Sequence, residues 1–238
     1  MDTLYLVMPA YNEAENIEQV VRSWDAVLKE TGENSKLVIA DSGSTDATHE
    51  ILLKLQEQKC PPHLIILPTD RKEHGPKLIA LYDYAVKNGA DYIFQTDSDG
   101  QTNPDEFQQF WKYRRKYDAV IGKRPARGDG KSRKFIEDVL CVILKCYFKV
   151  TISDANAPFR LMKAELVEKY LKKLPKDYGL PNVMLTTYFV YFKENIKFRN
   201  ITFQPRQGGV NSINMKRIIR IGWKSLHDFH LLKKELED

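Results

Sequence analysis

Five short apolar runs mark the first half of the chain: "LYLVMP" (4–9), "KLVIAD" (36–41), "HLIILP" (63–68), "DYIFQTD" (91–97) and "DAVIGK" (118–123). Each is predicted to be a buried strand, and helical patterns lie between them. Asn12 and Glu15 stand at capping-box spacing, so a helix is predicted to begin there and to end at Gly32. Pro76 and Pro104 sit where first-turn prolines belong, in "HGPKLIALYDYAVKNG" and "NPDEFQQFWKYRRK". Strands alternating with helices imply right-handed crossovers and a mostly parallel sheet covered on both faces.

The pattern changes after residue 124. "RPARGDGKSR" reads as a basic, glycine-containing loop, followed by an apolar helix over 135–149, the segment "ISDANAPFRLMK", two further helices and a strand in "IKFRNITFQPR". In the tail, Met215, Ile218, Ile219, Gly222, Leu226, Phe229, Leu232 and Leu236 recur at three- and four-residue steps, the pattern of one amphipathic helix. With no repeat or linker in view, the expected organisation is one α/β domain over 1–210 and a helical extension over 211–238.

Composition narrows the class without deciding it. The chain has 238 residues, enough for a full core, with 42% hydrophobic and 29% charged residues as in soluble globular proteins. Its net charge of +5 suits an anionic substrate or an anionic membrane surface; no nucleic-acid partner is expected. Cys60, Cys141 and Cys146 lack metal-site spacing, which points to a reduced cytoplasmic protein. No leader is expected, because Met1-Asp2 runs straight into the first strand. The longest apolar stretch, Phe135 to Val150, contains Glu137, Asp138, Lys145 and Lys149. It falls short of the roughly 20 residues of a bilayer span.

In parallel α/β sheets, ligands bind beyond the carboxyl ends of the strands. Those ends are Pro9-Ala10-Tyr11-Asn12-Glu13, Asp41-Ser42-Gly43-Ser44, Asp97-Ser98-Asp99 and Lys123-Arg124. Asp97, Asp99 and the amide of Gln101 are two residues apart, so an extended backbone would aim all three into one space. Carboxylates about 7 Å apart at an effective dielectric near 20 repel by roughly 2 kcal/mol.

Four readings compete for this cluster. It is a solvated surface turn, an EF-hand loop, a phosphatase-type nucleophile motif, or a site for a divalent cation carrying a diphosphate. The EF-hand needs Gly sixth and Glu twelfth, where Thr102 and Gln108 stand, so it fails. The phosphatase reading needs a later strand ending in paired acids, and none is found. The cation reading asks for basic residues nearby. Residues 123–134 supply Lys123, Arg124, Arg127, Lys131, Arg133 and Lys134 against only Asp129. Arg206 follows, before Gln207-Gly208-Gly209.

The motifs "VMPAYNEAENI", "IADSGSTDAT", "QTDSDGQTNPDEF", "GKRPARGDG" and "DANAPFRLMK" resemble, in that order, the family-2 glycosyltransferases of the GT-A fold, and among them the dolichyl- and polyprenyl-phosphate sugar synthases. The resemblance covers roughly residues 3 to 210. It implies inverting transfer of a sugar from a nucleotide diphosphate, UDP or GDP, with Mg²⁺ or Mn²⁺. It places Pro9, Tyr11, Glu13, Asp41 and Ser98 around the nucleotide, and Asp97, Asp99 and Gln101 on the metal. It assigns Arg124, Arg133 and Arg206 to the diphosphate, Arg160 and Asn182 to the acceptor side, and catalysis to Asp154 with Asp99.

The chain also departs from the family pattern. Ser42 stands where a second acid is common, and "HGPKL" replaces a Lys-Gly-rich segment, leaving Lys77 as a base or phosphate contact. "ANAPF" replaces the usual spacing before Phe-Arg, which bears on the acceptor. The acceptor expected is a lipid phosphate, with a sugar hydroxyl in glycan assembly as the alternative. A hydroxyl acceptor would need Asp154 as general base, whereas a phosphate, with a second pKa of about 6, would not. A magnesium phosphatase and a nucleotide-sugar-binding protein without activity are the readings from other classes. The basic C-terminal helix, with Lys216, Arg217, Arg220, Trp223 and Lys224, admits peripheral contact with an anionic membrane. Its apolar stripe equally suits the catalytic domain or a second copy of the chain.

Overall fold

All six predicted strands form, the sixth within "IKFRNITFQPR", and one more joins them in one sheet. The computed structural model describes residues 2–59, 61–125, 131–205, 228–230 and 232–233. The strands are β1 (Leu4–Ala10), β2 (Lys36–Asp41), β3 (Leu64–Ile66), β4 (Tyr92–Thr96), β5 (Ala119–Lys123), β6 (Phe159–Lys163) and β7 (Ile196–Asn200). The helices are α1 (Ile17–Leu28), α2 (Thr48–Glu57), α3 (His74–Lys87), α4 (Gln108–Trp111), α5 (Lys131–Phe148), α6 (Ala164–Leu171) and α7 (Pro181–Tyr191).

The sheet order is β3-β2-β1-β4-β6-β5-β7, mostly parallel. The chain winds outward from β1 through β2 to β3, then crosses back to lay β4 on the other side of β1. That reversal opens a crevice at the carboxyl ends of β1 and β4. β1 pairs with β2 as far as Ala10↔Asp41, but with β4 only as far as Val7↔Gln95. Beyond that pair the two strands part, and their ends are free to turn into loops.

β6 is the element that the sequence pattern does not predict. It runs antiparallel between β4 and β5, with Gln95↔Arg160 and Ile121↔Arg160 in register. Pro158 precedes it, and Arg160 and Lys163 interrupt its apolar run, so neither length nor alternation announces a strand. Pairing on both edges creates it.

One face of the sheet carries an aromatic cluster of Trp24, Phe94, Phe107, Phe110 and Phe159, with Phe94 and Phe159 ring centres 4.7 Å apart. The other face packs α3, α5, α6 and α7 over Val7, Val38, Ile93 and Ile121. α7 is buried continuously from Pro181 to Phe189, so its polar side chains must find partners inside the protein.

Two local expectations fail. The capping box at Asn12 and Glu15 does not form: α1 starts at Ile17, and its first amides are taken by the Glu13 carbonyl. Asn12 instead adopts φ +53° and laces two loops together. The helix expected over "NPDEFQQFWKYRRK" is only a 3-10 turn at Pro104–Glu106 followed by the four-residue α4. Its basic end turns back, with Arg114 over the Trp111 ring at 4.3 Å and bonded to Asp2 at 2.7 Å.

α3 approaches the loop before α7 so closely that Gly75 has no room for a side chain. A Cβ there would lie 2.3 Å from the Gly179 carbonyl oxygen, which is backbone and cannot rotate away. Gly75→Ala is expected to lower stability by about 1–3 kcal/mol in urea unfolding. Gly179→Ala meets nothing within 4 Å and is expected to change it by less than about 0.5 kcal/mol.

Of the expected C-terminal helix, Asp228–His230 and Leu232–Lys233 are helical, and Phe229 packs on Phe148 at 5.9 Å. The rest of the 211–238 extension lies outside the described residues. Among the described residues no helix is long and apolar enough to cross a membrane. α5 leaves Phe135, Val139 and Val142 exposed along one side.

Candidate active site

The loops at the carboxyl ends of β1, β2 and β4 are fastened to one another. The Asn12 amide donates to Ser44 Oγ at 3.0 Å, Thr45 N donates to Asn12 Oδ1 at 2.8 Å, and Glu13 N donates to Thr48 Oγ1 at 2.8 Å. Ser98 Oγ donates to the Pro9 carbonyl at 2.9 Å, tying the end of β4 to that of β1. Pro9, Glu13, Asp41 and Ser98 are thereby buried supports, and Tyr11 is the exposed face of this wall. Asp41 accepts from Ser44 Oγ and has His49 Nδ1 at 3.2 Å.

Lys77, in the first turn of α3, is 1% exposed and lies behind Tyr11. Its Nζ donates to the Ala10 carbonyl at 2.6 Å and sits 5.4 Å from the Tyr11 ring centre. Burial pulls its pKa down to about 8, and Asp41 partly opposes that shift. Its Nζ lies under the β1 end, against the Ala10 carbonyl. His74, which the sequence did not flag, has Lys77 and Asp99 as charged neighbours.

The acidic turn is built differently from the extended run expected of it. The strand stops at Thr96, the backbone bends over residues 98–100, and Gly100 adopts φ +71°. Asp99 Oδ1 then accepts from Gln101 N at 3.1 Å, an Asx-type turn. The stretch that carries Asp97, Asp99 and Gln101 is thus a bend with a glycine and not a pleat. Asp97 Oδ1 accepts from Gln95 Nε2 at 3.2 Å. Gln101 is 3% exposed and gives its Nε2 to the Gln204 carbonyl at 2.7 Å, so the amide oxygen is the end that a cation could take.

This donor set fits a hard divalent cation. It offers carboxylate and amide oxygens only. Among the described residues no group of three His, Cys, Asp or Glu side chains could hold a metal by itself. Such a site suits an ion that completes its shell with water and phosphate rather than a closed structural ion.

Arg124 and Asp154, expected at the diphosphate and the acceptor, are found paired with each other. Arg124 Nε and Nη2 donate to the two Asp154 oxygens at 2.8 and 2.9 Å, and its backbone amide adds a third bond at 3.1 Å. Glu137 of α5 stands 3.7 Å away on the other side, and the Phe203 ring stacks at 5.0 Å. Arg124 is 6% exposed and Asp154 2%. Burial opposes the charge on Arg124, but Asp154 and Glu137 win and its pKa is raised.

Arg160 is completely buried, and its five N–H groups go to the carbonyls of Ala155, Ala157 and Asn182 and to Thr186 Oγ1. The structure thus gives it the work of locking α7 to β6 rather than direct contact with an acceptor. Asn182 is 2% exposed and bonded within the core, so it too is removed from direct acceptor contact. The basic run also divides: Arg133 and Lys134 lie in the first turn of α5, and Lys134 pairs with Asp138. Arg127 and Arg206 lie outside the described residues.

An acidic turn at the switch point of a doubly wound sheet, with buried cations behind it, is the layout of a nucleotide-binding α/β protein. Residues 5–171 match the model of "Glycosyl transferase family 2", and the chain belongs to that family. It is 27% identical over 168 residues to the undecaprenyl-phosphate 4-deoxy-4-formamido-L-arabinose transferase of Photorhabdus laumondii, covering 70% of this chain and 51% of that protein. The transferase of the same name from Pseudomonas savastanoi is 24% identical over 167 residues, with 70% and 49% covered. The chain therefore spans about half the length of the curated relatives it matches. Among solved structures it is similar to the Mycobacterium tuberculosis glucosyl-3-phosphoglycerate synthase. The complex with Mn²⁺, UDP-glucose and glycerol 3-phosphate gives a TM-score of 0.65 at 17% identity over 98% of this chain and 80% of that one. The complex of that synthase with Mg²⁺ and UDP gives 0.67 at 16% over 95% and 79%. At these identities the likeness shows the fold, which is the GT-A fold implied by the motifs.

Proposed function

We propose that the chain performs inverting, metal-dependent transfer of a sugar from a UDP- or GDP-sugar to a polyprenyl phosphate. The observation that carries this reading is the Asp97–Asp99 turn at the β1/β4 crevice, where a nucleotide diphosphate meets oxygen ligands and cations together. Tyr11 and Asp41 flank the nucleotide, and Asp97, Asp99 and the Gln101 amide oxygen hold Mg²⁺ or Mn²⁺. That ion would draw negative charge from the departing diphosphate. Arg133 stands in the first turn of α5, the positive end of that helix's dipole. It supplies the cationic side of the site.

The state of Asp154 favours a phosphate over a hydroxyl acceptor. Both its oxygens are engaged by Arg124, so it is not poised to remove a proton. A phosphate monoester is already ionised near pH 7, its second pKa being about 6, and needs no base. Asp154 then acts as the buried counter-ion that fixes Arg124 at the end of β5. The curated relatives are named for transfer to undecaprenyl phosphate, which agrees with this choice. A lipid-borne acceptor brings the protein to the cytoplasmic face of a membrane, and Phe135, Val139 and Val142 on α5 suit that peripheral contact.

The test is transfer from radiolabelled UDP- and GDP-sugars to a short polyprenyl phosphate, to the matching polyprenol and to a free oligosaccharide, with Mn²⁺. Product on the phosphate alone is expected, together with melting-temperature stabilisation by one of the two nucleoside diphosphates. Product only on the oligosaccharide, or release of phosphate from a simple ester without sugar transfer, would overturn it.

A further inference from the structure

Resting on the reading of Asp97 as a cation ligand, we propose that Tyr82, Asn182 and Gln95 form a directional relay that orients the Asp97 carboxylate for its ion. Tyr82 Oη donates to Asn182 Oδ1 at 2.6 Å, Asn182 Nδ2 donates to Gln95 Oε1 at 3.0 Å, and Gln95 Nε2 donates to Asp97 Oδ1 at 3.2 Å. The three members come from α3, α7 and β4, and they are 0, 2 and 0% exposed. All three are closed off from solvent by the surrounding core. They are positioning residues.

The polarity of the relay is set from the carboxylate end. An ionised carboxylate only accepts, so Gln95 must present Nε2 to Asp97 and Oε1 inward. That oxygen requires the Asn182 Nδ2 donor, which leaves Asn182 Oδ1 to face the phenol. Burial holds the Tyr82 hydroxyl well above its ordinary pKa, so the phenol keeps its proton and remains a donor. Arg160 adds a brace, its Nη1 donating to the Asn182 carbonyl at 3.1 Å. A core needs no such arrangement to be stable, since apolar side chains of similar size fill the same space without matched partners. The chain of amides ends on one acid at the mouth of the site. Its effect is to fix the plane of that carboxylate before an ion arrives, as outer-shell partners do for metal ligands.

The test measures Mn²⁺ affinity by the EPR signal of the free ion, on the full chain with UDP or GDP present, beside melting temperatures in EDTA. Gln95→Leu is expected to weaken Mn²⁺ binding about 10-fold or more. Asn182→Leu has no donor for Gln95 Oε1 and leaves the Gln95 amide unanchored on its inner side; a loss of similar direction is expected. Tyr82→Phe, at the far end, should lose less than either. Should the single variants not fold, Gln95→Leu/Asn182→Leu removes both central partners together and should show the same Mn²⁺ loss. Unchanged Mn²⁺ affinity in Gln95→Leu or the double variant, with only the EDTA melting temperature lowered, overturns the relay. Wild-type protein that takes up no Mn²⁺ with either nucleotide overturns the cation reading itself.

Discussion

Asp99→Asn is expected to abolish Mn²⁺-dependent stabilisation by the nucleoside diphosphate and to cut sugar transfer by at least about 10²-fold, while leaving the metal-free melting temperature nearly unchanged. The asparagine oxygen can still accept from Gln101 N, as Asp99 Oδ1 does at 3.1 Å, so the turn with Gly100 survives. Only the charge is removed. Asp99→Ala removes the turn-forming oxygen as well and should lose both binding and some stability. The size of the rate loss follows from the role: stabilisation of charge developing on a leaving group is usually the largest catalytic term, and one such partner is commonly worth about 10²–10³ in turnover. Thermal shift with Mn²⁺ and UDP or GDP, followed by initial rates, decides it. Retained stabilisation in Asp99→Asn would show that the acidic turn does not hold the ion.

Arg124→Met is expected to destabilise the fold by about 3–5 kcal/mol, because it leaves buried acids facing an apolar side chain. Asp154 loses two guanidinium bonds and Glu137 loses its cation at 3.7 Å. For a chain of this size that corresponds to a melting point lower by roughly 10 °C or more. Arg124→Met/Asp154→Leu should recover part of the loss, since an apolar pair avoids the uncompensated charge. The double-mutant cycle reports the coupling. A single-variant loss under about 1 kcal/mol would mean that the pair is solvated and that Arg124 is available to ligands, contrary to its 6% exposure.

The position of the acidic turn is legible in the sequence, but its backbone conformation is not. Spacing of two residues suggests alternate side chains on an extended strand; the chain instead bends at Gly100, with an Asx turn from Asp99 to Gln101. Gln95 carried a signal that went unread, a polar side chain inside an otherwise apolar strand, two residues before Asp97. Glu137 gave a similar signal, an acid within an apolar helix, and proves to accept from Ala155 N at 2.8 Å as well as to face Arg124. Arg160 is legible in the sequence as important, yet its burial and its three carbonyl and one hydroxyl partners are not. Arg206 and most of the 211–238 extension lie outside the described residues.

By itself the sequence determined what local periodicity and strand-end chemistry can encode. Five strands alternate with helices, and polar residues gather where those strands stop. Only the tertiary structure decided which groups neutralise one another. β6 exists because β4 and β5 pair with it, Arg124 meets Asp154 across 30 residues of chain, and Asn182 reaches Gln95 across 87. Burial makes such partnerships obligatory, but a one-dimensional pattern shows only that a polar group is buried, never which distant group satisfies it.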